Sequence, residues 1–173
     1  MEQTDEDTDR SNVIAQITKA FSKVSREGGV SLHEADVLDA YGSDEECAAA
    51  RAIDTDTKWQ EVPESDIEEN YSILSFLDPI GFRYYIPAYM VWSLRHWERA
   101  DSNSVFSTVD HLTLVDRLDL REYHLARFRV FSPDQRSAVQ SFLRHMATYS
   151  EEYSEDASKA LASYWASENT CVE

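Results

Sequence analysis

The sequence predicts an all-α protein, a single domain built as an irregular bundle of about six to eight helices. Three observations carry this. Glycine and proline number four each in 173 residues, too few for the turns that a sheet of short strands needs. A serine followed three residues later by Glu or Gln recurs at Ser31/Glu34, Ser43/Glu46 and Ser132/Gln135, the capping-box signature of a helix start. Apolar residues also return at spacings of three and four rather than two.

Taken in order, residues 1–10 hold five acids and no hydrophobic anchor beyond Met1. They read as a disordered acidic arm, with the helical domain spanning 11–173. Ser11 or Asn12 caps a first helix whose apolar face is Val13, Ile17, Phe21 and Val24. Gly28-Gly29 is expected to end it. "SLHEADVLDAYG" forms a second helix, with Gly42 in the left-handed position past its end. "SDEECAAARAID" forms a third. Trp59 to Pro63 is a connection, and Pro63 opens a helix through "ESDIEENYSILSF".

The stretch from Leu77 to Leu94, "LDPIGFRYYIPAYMVWSL", is the densest apolar run. Asp78 caps a helix with Pro79 in its first turn. Pro87 lacks the donor that a helix interior needs, so a break is expected near Tyr85–Ile86, with a second helix from Pro87 to about Arg99. Arg83, Pro87 and Arg95 keep the run below the roughly 18 apolar residues of a membrane span. It reads as the centre of the core, with Phe82, Tyr85 and Trp92 buried. Arg83, if buried, calls for carboxylate partners. Use of its tyrosines in a binding pocket is the alternative. Periodicity leaves 100–130 undecided between short helices and an occasional strand. After it, "SPDQ" opens a helix with Val139, Phe142, Leu143 and Met146 on one face. A last helix near 155–167 turns Ala157, Leu161, Tyr164 and Trp165 inward.

The chemistry-bearing motifs are few. His33, His96, His111, His124 and His145 form no HxxxH or HExxH pair, so no metal is expected. Cys47 and Cys171 show no CxxC, and acids beside Cys47 disfavour its thiolate. Phosphate-loop and dinucleotide fingerprints are missing, so neither a cofactor nor a catalytic residue is assigned. The start lacks a basic segment followed by an apolar one. A cytoplasmic protein with reduced thiols is therefore expected.

Charge is the anomaly. The net is −17, and residues 1–69 carry −13 of it, 19 acids against 6 bases. Between Glu34 and Glu46 stand Glu34, Asp36, Asp39, Asp44, Glu45 and Glu46 with no Lys or Arg. Between Glu61 and Glu69 stand Glu61, Glu64, Asp66, Glu68 and Glu69, again with none. Such density repels nucleic acid and anionic membrane, and favours a basic partner. A solvated face is the other reading. Tyr41, Trp59 and Tyr71 are the aromatic anchors nearest these acids.

Three motifs give a resemblance. They are Trp59, Val62 and Pro63; then Asp78, Pro79, Gly81, Phe82, Tyr84, Tyr85, Pro87, Ala88, Tyr89 and Met90; then Gln135, Ala138, Val139, Phe142 and Leu143. Together they resemble an uncharacterised family of small bacterial proteins, which implies no established activity. By class analogy, a small acidic chain without catalytic motifs points to an immunity protein that neutralises a toxin domain. A nucleic-acid mimic and an enzyme of unrecognised type are the alternatives.

Overall fold

The two prolines of the central stretch have opposite roles. In a computed structural model that describes residues 2–98 and 101–166, with side chains from residue 5 onward, Pro79 opens a helix and Pro87 lies inside it. The helices are α1 (Glu2–Ala20), α2 (Leu32–Asp39), α3 (Asp44–Arg51), α4 (Glu64–Glu69), α5 (Pro79–His96), α6 (Ser104–His111), α7 (Leu118–Arg129), α8 (Pro133–Tyr149) and α9 (Ser154–Ala160). One π turn, Leu161–Trp165, extends α9, and two 3₁₀ turns cover Trp59–Glu61 and Ile73–Phe76. The described residues contain no strand, so the fold is all-α.

Helix α5 is the axis of the molecule and touches α1, α4, α6, α7 and α8. Phe82, Tyr84, Tyr85, Ile86, Tyr89, Met90 and Leu94 have no exposed surface, and Trp92 is also buried. This explains why the expected break at Pro87 does not occur. An interior proline costs about 3 kcal/mol, whereas each large apolar side chain buried contributes about 1.5–3 kcal/mol. Packing on every side outweighs one lost bond. The helix start is held by Asp78, whose Oδ1 accepts the Gly81 N–H at 2.9 Å and the Val30 N–H at 2.8 Å. The loop at Gly29–Val30 thus lies directly on the first turn of α5. A Cβ on Gly81 would collide with the Val30 carbonyl, and one on Gly29 with Gly81 and Ile80.

Other expectations are corrected. The acidic start is not an arm: α1 begins at Glu2. Acids in the first turns suit the helix dipole, and Arg10 pairs with Glu6 four residues back and with Glu98 at 2.9 Å. Asp9 reaches His145 on α8 at 2.7 Å. The helix ends at Ala20 rather than at Gly28-Gly29. Arg83 has no carboxylate; it donates to the Val130 carbonyl at 3.2 Å and its Nε has no partner among the described residues. The described part of the undecided stretch, 101–130, resolves into α6 and α7. Pro63 is the cap before α4. Trp165 closes the core, donating from Nε1 to the Leu112 carbonyl at 2.7 Å and packing 4.7 Å from the Phe128 ring. Cys171 lies outside the described residues. No described helix is long and apolar enough to cross a membrane.

Candidate functional site

The α2–α3 hairpin carries the first acidic cluster. Glu34 accepts the Ser31 N–H at 3.0 Å, and the same oxygen takes Arg51 Nη1 at 2.7 Å, tying the start of α2 to the end of α3. Glu46 likewise accepts the Ser43 N–H at 2.7 Å. These bonds hold the Glu46 carboxyl below its usual range. Glu34 and Glu46 are therefore structural. Asp36, Asp39, Asp44 and Glu45 are exposed and form no ion pair with a described residue.

Between the two helices the chain makes a double closure. Gly42 N–H bonds the Val37 carbonyl at 2.9 Å and Tyr41 N–H bonds that of Leu38 at 3.1 Å, the Schellman pattern. The left-handed residue is Tyr41, with φ 57°, not Gly42 as the sequence implied. Gly42 is needed for another reason, since a Cβ there would collide with the Val37 side chain. Tyr41 stands 95% exposed at the hairpin tip, and Leu38 beside it is 40% exposed.

At the opposite end of the hairpin lies a polar network that the sequence reading did not find. Asp54 accepts the His33 N–H at 3.0 Å, and its other oxygen is 2.6 Å from His33 Nδ1. Arg26 donates to the Tyr85 hydroxyl at 2.6 Å and to the Asp54 carbonyl at 2.9 Å, and lies 3.6 Å from Asp56. Tyr84 donates to Asp56 at 2.7 Å. Burial pushes both tyrosines well above the ordinary phenol range. Burial disfavours the Arg26 charge, but the Tyr85 bond and the two aspartates outweigh it and raise its pKa. The signal for this network was the acid-rich connection "IDTDT". Buried tyrosines require polar partners, and this loop is the nearest source.

Asp54, Asp56, Glu61 and Asp66 line a cavity of about 150 Å³, with Ile53, 61% exposed, also on its wall. Glu61 accepts the N–H groups of Thr57 and Lys58, at 2.8 and 3.2 Å, which lower its pKa. Glu64 faces Arg95 and His96 at 3.7 and 3.9 Å. Glu68 and Glu69 are exposed. The candidate aromatic anchors separate. Trp59 is buried and donates to the Phe21 carbonyl at 3.1 Å; it is a core residue and is withdrawn as an anchor. Tyr71 is 40% exposed but lines a different groove, beside α6. Only Tyr41 stands among the acids. No three His, Cys, Asp or Glu of the described residues converge as metal ligands would.

The sequence pattern of a family of unknown function, DUF6714, matches residues 9–169. The chain belongs to this family. The DUF6714 match takes in nearly all of the described helices, from the later part of α1 to the π turn after α9. No curated protein and no solved structure matches the chain.

Proposed function

We propose that this DUF6714 protein is a binding module for a basic protein, which it engages through the tip of the α2–α3 hairpin. The observation that carries the reading is Tyr41. A non-glycine residue in the left-handed region costs about 1 kcal/mol or more, and here that conformation presents an almost fully exposed aromatic ring. Asp36, Asp39, Asp44 and Glu45 flank it in the chain, exposed and without ion pairs to described residues. An aromatic anchor inside a charged rim is the arrangement that gives both affinity and fast electrostatic capture. Masking of a toxin domain, as by an immunity protein, is the specific role that suits it. Mimicry of a nucleic acid fits less well. It asks for a continuous run of free carboxylates, and Glu34, Glu46 and Glu61 interrupt the run by capping backbone.

The test uses tagged full-length protein to isolate partners, followed by binding kinetics at two salt concentrations. Asp36→Lys, Asp39→Lys and Glu45→Lys together slow association about tenfold or more and remove its salt dependence. Tyr41→Ser leaves association unchanged and speeds dissociation. A basic partner that binds both variants as it binds the parent refutes the hairpin tip as its site.

A further inference from the structure

The groove beside α6 holds a pair of side chains that the hairpin-tip reading leaves unused. Ser75, exposed on the 3₁₀ turn Ile73–Phe76, has its Oγ 2.8 Å from Nε2 of His111 at the end of α6. His111 Nδ1 lies 2.8 Å from the Ser107 carbonyl one turn back. A carbonyl only accepts, so Nδ1 carries a proton, and in the neutral ring Nε2 is left bare to accept from the Ser75 hydroxyl. Burial holds the His111 pKa below its usual range, so the ring is neutral at pH 7. A nucleophile bonded to a base that a third group orients is the arrangement of acyl-transfer enzymes.

The surroundings suit that chemistry. Arg127 at 2.7 Å and the Tyr123 hydroxyl both donate to the Ser75 backbone carbonyl, which fixes the turn that carries the nucleophile. Ser75 and His111 line a groove of about 380 Å³, within the roughly 300–1,000 Å³ of small-molecule sites. Tyr71 and Phe106, 40% and 49% exposed, give it an apolar wall. Asn103 is on the same groove, and its amide bonds to no described residue, which leaves a donor for a developing oxyanion. Asp110, exposed and in no ion pair with a described residue, adds a negative charge that disfavours an anionic substrate. We infer that Ser75 and His111 form a nucleophile–base dyad that hydrolyses an uncharged carboxylic ester with a small apolar acyl group. Ser75 Oγ bonds to the ester carbonyl carbon as its proton passes to His111 Nε2. The resulting imidazolium is favoured by the Ser107 carbonyl and Asp110, and opposed by Arg127 and His124. Collapse of the tetrahedral oxyanion breaks the bond to the alkoxy oxygen, which leaves as the alcohol with the proton from Nε2. Water then attacks the acyl-serine through the same base, releases the carboxylic acid and restores the Ser75 hydroxyl. The groove is separate from the hairpin tip, and the inference holds or fails independently of it.

Two probes on the full-length protein test this: covalent labelling by an alkyl fluorophosphonate, located by peptide mass, and hydrolysis of p-nitrophenyl butyrate. The expected label is on Ser75, with turnover of the ester above the rate in buffer. Ser75→Ala abolishes both, and His111→Gln lowers both at least a hundredfold. Asn103→Ala lowers kcat about a hundredfold with KM little changed, as loss of an oxyanion donor does. Ser75 and Asn103 are exposed, so their variants keep the fold, which unchanged circular dichroism verifies. A parent protein that takes no label at Ser75 and hydrolyses the ester no faster than Ser75→Ala overturns the inference. So does a His111→Gln variant that labels as fast as the parent, because the Ser75–His111 bond is then only structural.

Discussion

Arg26 and Arg127 approach the central helix from different neighbours, and the acidity of the chain reaches only one of them. Arg26 lies beside Asp54 and Asp56, and its charge is favoured in spite of burial. Arg127 has no carboxylate within ion-pair distance. It donates to the carbonyls of Ser75 and Leu77 at 2.7 and 2.8 Å and sits 5.0 Å over the Phe82 ring and 4.1 Å over that of Tyr123. Its Nε and Nη1 have no partner among the described residues, and burial lowers its pKa. The same residue type is thus neutralised by charge in one place and solvated by carbonyls and aromatic rings in the other. The acids of the N-terminal half are not only a surface, since two of them complete the core.

Replacing each arginine by an apolar side chain of similar length separates the two cases. Arg26→Met leaves the Asp56 charge with only the Tyr84 hydroxyl and removes the donor to Tyr85. Breaking a largely buried pair from one side costs about 3 kcal/mol. Arg127→Met loses bonds to two carbonyls and to the Tyr123 hydroxyl but also removes a buried charge with no carboxylate partner. These effects largely offset, for a net cost of about 1 kcal/mol. Urea unfolding midpoints measure both. A larger loss for Arg127→Met than for Arg26→Met would invert the comparison.

The buried cation also contributes to the response to acid. His111 and His124 lie near Arg127, and both have pKa values below 6.5. Burial is the main cause in each. Arg127 pushes both lower, while Asp110 and hydrogen bonds to backbone pull them up. A folded-state value below the unfolded one means that the unfolded chain takes up the proton first. The histidine contribution is therefore complete above pH 6.5 and declines as pH falls below it. In Arg127→Met the histidines protonate more readily in the folded state, so the decline is shallower. Thermal melts from pH 7.5 to 5 read the slope, and an unchanged slope would remove Arg127 from the account.

Local chemistry made much of this fold legible in the sequence. Ser43/Glu46, Ser132/Gln135 and Asp78-Pro79 specify helix starts through bonds within four residues, and each is found where the sequence placed it. Failures came where distant packing overrode a local rule. Pro87 stays helical because α5 is buried all round. Residues 2–10 carry helix because Asp9 and Arg10 find His145 and Glu98 far along the chain. Trp59 was misread as an anchor because its burial depends on Phe21, 38 positions earlier. The site divides in the same way. Acid density was visible in the composition, and the capping boxes marked Glu34 and Glu46 as bound to backbone. The bonds of Glu61 to Thr57 and Lys58 follow no such signature, so its separation from Asp36, Asp39 and Glu45 was not legible.

The smallest expected effect on stability bears most directly on function. Tyr41 adopts a left-handed conformation that costs an ordinary residue about 1–2 kcal/mol and glycine almost nothing. Tyr41→Gly relieves that strain but gives the unfolded chain more freedom, which returns about 0.4–1 kcal/mol. The net is a gain of about 0.5 kcal/mol. Tyr41→Asn tolerates the same backbone without the added freedom and gains a similar amount. Gly42→Ala runs the other way, because its methyl group meets Val37, and this contrast shows that the tip itself is being measured. Both Tyr41 variants bind the basic partner more weakly if the ring is an anchor, so stability and binding move in opposite directions. That opposition is what a strained functional residue produces. If Tyr41→Gly is stabilised and binds as tightly as the parent, the tyrosine is only a poor helix cap, and the partner is held by the carboxylates alone.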